Sequence, residues 1–278
     1  MTAALLLAAP AARAQTPARP RELRWDPAWD VSVTAAGAAA WLTSQALEPQ
    51  LASSSCRWCE VDGLDASVRH ALVWSDTAAA NTTSNILAFG VAPLAAVALD
   101  ALAAGHDGAL GDVPVDALVV GEATIVAVDL SQLAKFASGR ERPFVHALAP
   151  EQKLHTANPA DNNVSFFSGH TTETFALAAA AGTVATMRGY RWAPIVWIAG
   201  AVLATATGYL RIAADQHWVT DVLAGAAVGA GAGFAVPYVF HRPAAAVPTG
   251  SDRASDVPRL TVAPTAAGGP GVTMTLVW

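Results

Sequence analysis

The chain has 278 residues, of which 53% are hydrophobic and only 14% are charged, and its mean hydropathy is +0.37. This charged fraction lies well below the roughly 25% of an ordinary soluble domain and favours a single membrane-embedded bundle. The formal net charge of −6 argues against nucleic acid as a partner.

Residues 1–14 have the features of a short signal peptide or anchor. Residues 5–9 form an apolar core, and residues 12–14 form a small-residue cleavage pattern. The basic start of a signal peptide is missing, so an uncleaved anchor stays open as an alternative. Residues 15–30 are rich in proline and arginine and are predicted to form a disordered lead-in.

Residues 31–242 are predicted to form the helical domain. Glu122 and Asp129 lie in its third main helix; carboxylates inside a membrane are costly, but a structural role or a soluble helix is favoured over a functional one. The second helix is the better span candidate, with Pro93 as a kink. The fold class is therefore all-α, a membrane-embedded bundle of about six helices. The helices are predicted at 31–47, 85–104, 115–136, 171–187, 194–209 and 218–239, with a short amphipathic helix at 64–74.

Residues 243–278 form a tail rich in Pro, Ala and Gly. Segments 259–262 and 272–278 have strand-like composition and flank a glycine-proline turn at 268–271. A hairpin or an irregular tail is expected, without chemistry of its own.

Two cysteines, Cys56 and Cys59, form a lone CxxC pair. Such a pair fits half a zinc site, a redox motif or a small disulfide loop. The chain has no second cysteine pair and no βαβ pattern around this one. In an exported protein the loop disulfide is the favoured interpretation.

The distribution of basic residues predicts an orientation. Arg188, Arg191 and Arg242 fall on one side of the bundle, and the polar loops with Cys56 and Cys59 fall on the other, outer side. This parity requires that the first helix does not cross once the signal peptide is removed, so a soluble periplasmic form stays open.

The segment from Leu210 to Asp221 holds the first candidate for catalysis. His217 and Asp221 are four residues apart, which on a helix places both on one face. Asp221 is then expected to accept a hydrogen bond from one ring nitrogen of His217 and leave the other free as a base or nucleophile. Arg211 lies just upstream, where it can face an anion. Alone, this trio is more often structural than catalytic.

Two further segments carry anion-binding chemistry. Lys135 and Arg142 lie where a helix passes into a loop, and by themselves fit an ordinary complement to the helix dipole equally well. Ser168, Gly169 and His170 open the next helix, where a hydroxyl and free backbone N–H groups form an anion site and His170 can donate a proton. A lone Ser-Gly-His is usually a helix cap.

The three segments are more specific together than singly, because each lies at a helix border on one face of the bundle. They supply a lysine, two arginines, a serine, a glycine N–H and two histidines. A phosphate monoester needs this inventory, with donors for its peripheral oxygens, a nucleophile in line and an acid at the leaving oxygen. Arginine and lysine replace a metal cation, and no H-E-x-x-H pattern occurs, so no metal or other cofactor is expected.

These segments resemble the three-part signature of the type-2 phosphatidic acid phosphatase superfamily, which includes lipid phosphate phosphatases, bacterial acid phosphatases and vanadium haloperoxidases. The resemblance covers roughly residues 135–221. It implies that His217 is the nucleophile that forms a phosphohistidine, that Asp221 orients it, and that His170 protonates the leaving alcohol. It also implies that the phosphoryl group is held by Lys135, Arg142, Ser168, Gly169 and Arg211.

Two positions depart from the signature. Phe167 stands where the family usually has proline before Ser-Gly-His, and Leu210 stands where it usually has serine before the arginine. Neither position supplies the chemistry argued above. They bear on rate and substrate range more than on reaction class.

The sequence thus predicts a metal-independent phosphatase that acts on phosphate monoesters or pyrophosphates, with a phosphorylated lipid or another phosphate ester as substrate. Its expected place is the bacterial inner membrane, with the site facing the periplasm. A soluble periplasmic acid phosphatase is the first alternative, and a vanadate-dependent haloperoxidase is a weaker one. A non-catalytic phospholipid-binding or transport protein is the alternative from another class, but it has no need of an oriented His217 or of an acid at His170.

Overall fold

The computed structural model describes residues 21–243, 259–264 and 272–277. The expected signal peptide at 1–14 lies outside these residues. The predicted all-α bundle of about six long helices is confirmed, with α4 and α5 forming one of the six. The helices are α1 (Pro27–Ala46), α2 (Glu48–Leu51), α3 (Gly63–Leu72), α4 (Thr77–Ile86), α5 (Ala92–His106), α6 (Val113–Ser138), α7 (Pro143–His146), α8 (Pro150–Lys153), α9 (Gly169–Arg188), α10 (Ala193–Ala213) and α11 (Val219–Val236).

Helix α1 begins earlier than the sequence patterns predicted. Asp26 accepts a hydrogen bond from the backbone N–H of Trp29 and caps the helix, and Pro27 occupies the first helical position. Both residue types are favoured at these positions, so they explain why the helix begins here. Residues 21–30, the described part of the predicted disordered lead-in, include the start of α1. Within the described residues, the N–H of Arg21 donates to the carbonyl of Arg188 and holds this segment on the bundle.

The helix predicted around Pro93 is longer than expected and continuous. A π-helical turn, Leu87–Val91, joins α4 to α5 just before that proline. A π turn widens the backbone locally, which accommodates the missing N–H and the ring of the proline. The whole run, Thr77–His106, spans 30 residues.

Helix α9 is the centre of the bundle and packs against α6, α10 and α11. Its contact with α11 depends on a stripe of glycines. A Cβ atom at Gly229 would lie 2.3 Å from the backbone oxygen of Thr172, and one at Gly233 would lie 2.5 Å from that of Ala176. The two backbones therefore approach more closely than any side chain allows. This contact fixes the start of α9 against the start of α11, where the candidate site lies.

Three helical runs are long and apolar enough to cross a membrane, namely Thr77–His106, Ala193–Ala213 and Val219–His241. Large apolar side chains are exposed on all three, including Leu94 at 73% and Ile198 at 66%. Exposure on this scale marks a surface that faces lipid or another apolar partner.

The loop between α10 and α11 differs most from the prediction. Helix α10 runs on to Ala213 and so includes Arg211, and α11 begins only at Val219. Asp215 has a left-handed backbone (φ 58°), which ends α10. Asp221 accepts from the N–H of Trp218 and caps α11. His217 therefore lies in a loop, and the predicted shared helix face with Asp221 is wrong.

The tail forms a separate compact unit from Ala244 to Trp278. Strands β1 (Arg259–Pro264) and β2 (Val272–Val277) pair antiparallel, with Arg259 opposite Val277. This pairing of 259–264 with 272–277 is the one that the hairpin alternative of the sequence analysis predicts. The segment between α6 and α9 contains α7, α8 and a 3-10 helix, Pro159–Asn163.

Candidate active site

The structure brings the three predicted segments to one end of the bundle. The first is the C-terminal end of α6 with the following loop, the second is the N-terminus of α9, and the third runs from the end of α10 to the start of α11. Their meeting follows from the packing of α9 between α6 and α11. All eight predicted site residues lie in these segments.

One ring nitrogen of His217 forms a hydrogen bond with the backbone, and the other has only a long contact with an arginine. Its Nδ1 donates to the carbonyl oxygen of Ser165 at 2.8 Å. That bond fixes the tautomer and leaves the Nε2 lone pair directed away, 3.4 Å from Nη1 of Arg142. The side chain is 2% exposed. Burial and the positive charges of Arg142 and Arg211 lower the pKa of His217 well below its usual range, so the ring is neutral at pH 7.

Asp221 does not form the direct hydrogen bond with His217 that the spacing predicted. Its Oδ2 lies 3.7 Å from Nδ1 of His217, beyond hydrogen-bond distance. Instead Oδ2 accepts from the hydroxyl of Ser165 at 2.5 Å, and the carbonyl of Ser165 is the group that binds the imidazole. The carboxylate therefore acts on His217 through Ser165, a residue that the sequence analysis did not select.

Arg140 is a second residue that sequence patterns missed. It is 1% exposed and bridges two fully buried carboxylates, with Nη1 2.5 Å from Asp221 and Nη2 2.5 Å from Asp65 of α3. Its guanidinium carbon lies 4.0 Å from the centre of the Trp58 ring. The chain order offers no local signal for this bridge, because Asp65 and Asp221 are far apart in the sequence.

The cysteine loop supplies that tryptophan. Cys56 and Cys59 are joined by a disulfide, and Trp58 lies between them. The carbonyl of Trp58 also accepts from the N–H of Glu141 at 3.2 Å. The loop therefore covers Arg140 from outside and stabilises its position by a cation–π contact.

Two arginines lie near His217 on different elements. Arg142 donates to the side chain and carbonyl of Asp161 and, through Nη1, to Gln216. Arg211 donates to Asn81 at 2.6 Å and Ser84 at 2.9 Å, and its buried Nε has no hydrogen-bond partner among the described residues. A buried donor without a partner is costly, and an anion in the pocket would satisfy it.

The start of α9 completes the pocket. Ser168 caps the helix, with its Oγ 2.8 Å from Oγ1 of Thr171. A Cβ atom at Gly169 would lie 3.2 Å from Nζ of Lys135, so glycine leaves room for the ammonium beside the helix N-terminus. His170 contacts the oxygen of Asn85 through Nε2 at 2.7 Å. The helix end and the ammonium together favour an anion at this point.

A protein-family model agrees with the resemblance. Residues 116–244 match the model of the PAP2 superfamily, and this range includes all eight predicted site residues. A comparison with curated proteins gives no match. Among solved structures, a transmembrane PAP2-type phosphatidylglycerolphosphate phosphatase from Bacillus subtilis is similar at 18% identity, over 75% of this chain and 94% of that chain, with a TM-score of 0.44.

Proposed function

We propose that this chain, whose residues 116–244 belong to the PAP2 superfamily, hydrolyses phosphate monoesters or pyrophosphates of lipids through a phosphohistidine on His217. The observation that carries the proposal is the state of that imidazole. Its Nδ1–H is committed to Ser165 while the Nε2 lone pair lies beside Arg142. An imidazole held in this way is a nucleophile directed at whatever anion the arginine binds.

The cations around Nε2 support phosphoryl transfer. Arg142, Arg211 and Lys135 converge on one pocket with the N-terminus of α9, and each can donate to a peripheral phosphoryl oxygen. The negative charge on the phosphoryl oxygens is redistributed as phosphorus is attacked, so donors placed for the transition state bind it more tightly than they bind the ester. In this arrangement the three cationic side chains do the work of a metal.

The reaction has two steps. In the first, Nε2 of His217 attacks phosphorus, the ester P–O bond breaks, and the leaving alcohol takes a proton from His170. Burial and the charge of Arg211 lower the pKa of His170, and the negative charge of a bound phosphate ester raises it again, so that His170 holds a proton when the substrate is bound. In the second, water attacks the phosphohistidine and gives a proton to the now neutral His170. The P–N bond breaks, inorganic phosphate leaves, and both imidazoles return to their starting states.

A cavity of about 180 Å³ beside the pocket supports a lipid substrate. Its lining includes Lys135, Gly169 and His170 together with apolar Ile125 and Val128. The α6 residues that line it run from 124 to 135, a distance of roughly 16 Å along the helix. The cavity therefore extends from Lys135 along α6, and Trp41, Phe89, Ile125 and Val128 give its mixed lining an apolar part that an acyl chain can contact.

We further propose that the protein is embedded in a bacterial inner membrane with the site facing the periplasm. The exposed apolar helices support insertion, and the disulfide between Cys56 and Cys59 supports an oxidising compartment on the side of the site. Extraction of membranes with alkaline carbonate tests insertion: the protein should stay in the pellet, and release into the supernatant would favour the soluble alternative.

The activity test measures phosphate release by detergent-purified protein in EDTA. Phosphatidic acid, a polyprenyl pyrophosphate, glycerol 3-phosphate and p-nitrophenyl phosphate serve as substrates. We expect release to survive the chelator and to vanish in His217→Ala. No release from any ester by folded protein would favour the binding or transport alternative.

The lipid preference has its own test in the cavity. Ile125→Trp narrows the apolar lining and should lower kcat/KM for phosphatidic acid by roughly tenfold or more, since about one or two kcal/mol of apolar contact is lost. Turnover of p-nitrophenyl phosphate should change little. Leu133→Trp is the matched control, because Leu133 lies on the same helix but is 67% exposed. Equal losses on both substrates would contradict the acyl-chain assignment.

A further inference from the structure

Three buried side chains with metal-binding atoms meet outside the phosphate pocket. Asp30 of α1, Glu122 of α6 and His241, which ends the π-helical turn after α11, each place one ligand atom within 4.8 Å of the other two. Their exposures are 5%, 6% and 1%. Residues 122 and 135 are separated by roughly 20 Å along α6, so the cluster is distinct from the site at Lys135.

The atoms that face one another in this cluster lack hydrogen-bond partners. Nε2 of His241 and Oε2 of Glu122 are buried and form no hydrogen bond with the described residues, and they lie 3.3 Å apart, which is also the distance of an ion pair with a protonated imidazole. Two ligand atoms bound to one tetrahedral zinc ion at about 2.0–2.1 Å are about 3.4 Å apart. The 3.3 Å between these two atoms therefore fits two ligands on a shared ion.

Hydrogen bonds to the backbone orient His241 and Asp30 as metal ligands require. Nδ1 of His241 donates to the carbonyl of Arg24 at 2.9 Å, which leaves the Nε2 lone pair directed at the cluster. Oδ2 of Asp30 accepts from the backbone N–H of Asp26 at 2.8 Å. Hydrogen bonds of this kind fix the tautomer of a ligating histidine and the rotation of a ligating carboxylate.

The composition of the cluster also favours a cation. Two carboxylates buried together are stable only when nearby positive charge or hydrogen bonds compensate them. No ion pair joins the nearby Arg24 to Asp30 or Glu122 in the part of the chain that the structure describes. A divalent ion balances both charges and occupies both free lone pairs.

We propose that Asp30, Glu122 and His241 bind a divalent transition-metal ion, with zinc as the representative case. A donor set of one imidazole and two carboxylates suits zinc or manganese better than magnesium or calcium, which prefer oxygen ligands only. A cavity of about 540 Å³ lined by Trp29, Phe240 and the three ligands gives access and room for a water as fourth ligand. The ion joins α1, α6 and the end of α11 and stabilises the bundle without entering the phosphoryl chemistry.

The test uses the full chain with a tag that contains no histidine, purified in detergent, stripped with a chelator and dialysed. Zn²⁺ is titrated calorimetrically, and Co²⁺ is added separately to read coordination from its visible absorption. We expect about one ion per chain and a higher thermal unfolding midpoint. Glu122→Gln and His241→Gln should each weaken binding by roughly 100-fold or more. Loss of a residue that only hydrogen-bonds to a ligand already costs about 10–100-fold in metal affinity, and these two residues are ligands themselves. Asp129→Asn is the matched control on α6 and should bind as the wild type does.

Two outcomes would overturn the proposal. One is stripped wild-type protein that takes up neither Zn²⁺ nor Co²⁺ at the level of one ion per chain. The other is binding that Glu122→Gln and His241→Gln leave unchanged, which would place the ion elsewhere. Phosphate release in EDTA is measured in parallel and should persist, so that failure of the metal site and failure of the phosphatase assignment are separate results.

Discussion

The bridge made by Arg140 leads to the most specific mutational prediction. Its guanidinium lies between the buried carboxylates of Asp65 and Asp221, and Trp58 covers it. Replacement by methionine keeps most of the apolar stem and removes the charge. Because Asp221 is held by this arginine and in turn holds the loop that binds His217, we expect both stability and catalysis to suffer.

The size of the stability loss follows from the partners that remain. Removing one member of a buried ion pair typically costs about 3–5 kcal/mol, because a charge is left uncompensated. Asp65 keeps the N–H and hydroxyl of Thr220, and Asp221 keeps the hydroxyl of Ser165. These bonds solvate the stranded charges, so we place the cost of Arg140→Met at about 3 kcal/mol, the low end of that range.

The kinetic effect should be mainly on kcat. The substrate-binding cations stay in place, whereas the imidazole loses its support, and a displacement of about 1 Å can cost on the order of 10²-fold. KM should therefore change much less than kcat. Arg140→Lys keeps the charge but not the two-sided geometry, and should recover part of the stability and less of the rate.

Chemical unfolding in detergent micelles and steady-state kinetics measure the two effects. The matched control is Arg191→Met, which breaks an ion pair with Asp107 whose arginine is 59% exposed. Exposed pairs contribute less than about 1 kcal/mol. The reasoning fails if Arg140→Met costs no more than this control, or if it raises KM while kcat stays unchanged.

Two further predictions concern pH and packing. Burial and neighbouring cations lower the pKa of His217, so the acid limb of the pH profile of kcat/KM should lie below about 6.5, the ordinary pKa of histidine. The profile is measured with two esters whose phosphate groups differ in pKa, so that titration of the substrate is recognised. An acid limb above about 6.5 with both esters would contradict the assignment. Gly229→Ala forces a Cβ atom to within 2.3 Å of the backbone oxygen of Thr172 and should destabilise the bundle by about 1–3 kcal/mol, whereas Gly231→Ala, with nothing within 4 Å, should be neutral or stabilising by up to about 1 kcal/mol. Equal unfolding free energies for the two variants would refute the packing argument.

The sequence identified the parts of the site that carry a local pattern. Lys135, Ser168 and Arg211 each lie at a helix end, where residue type and spacing indicate an anion site. Apolar composition likewise located the long helices to within about four residues at each end, except for the run Thr77–His106, whose first eight residues it missed. The error around His217 also had a local cause. An aspartate at this position can cap the helix that begins at Val219, or it can bind a histidine four residues earlier, and the structure shows the capping role.

The remaining parts depend on contacts between distant segments. Arg140 is one of several basic residues near the end of α6, and only the fold shows that Asp65 lies opposite it. Ser165 binds His217 through its backbone carbonyl, a group that every residue has, so the residue type could not predict this role. The cluster that includes Glu122 is likewise assembled from three helices, so its members look like isolated polar residues in an apolar sequence.

The measurement that tests the central claim most directly is trapping of the phosphoenzyme. Wild-type protein in EDTA is mixed with a ³²P-labelled lipid phosphate, quenched in alkali, and digested for mass spectrometry. We expect an alkali-stable, acid-labile phosphate on the peptide that contains His217, and none in His217→Ala. Phosphate release that continues in His217→Ala, or a label on another residue, would contradict the account.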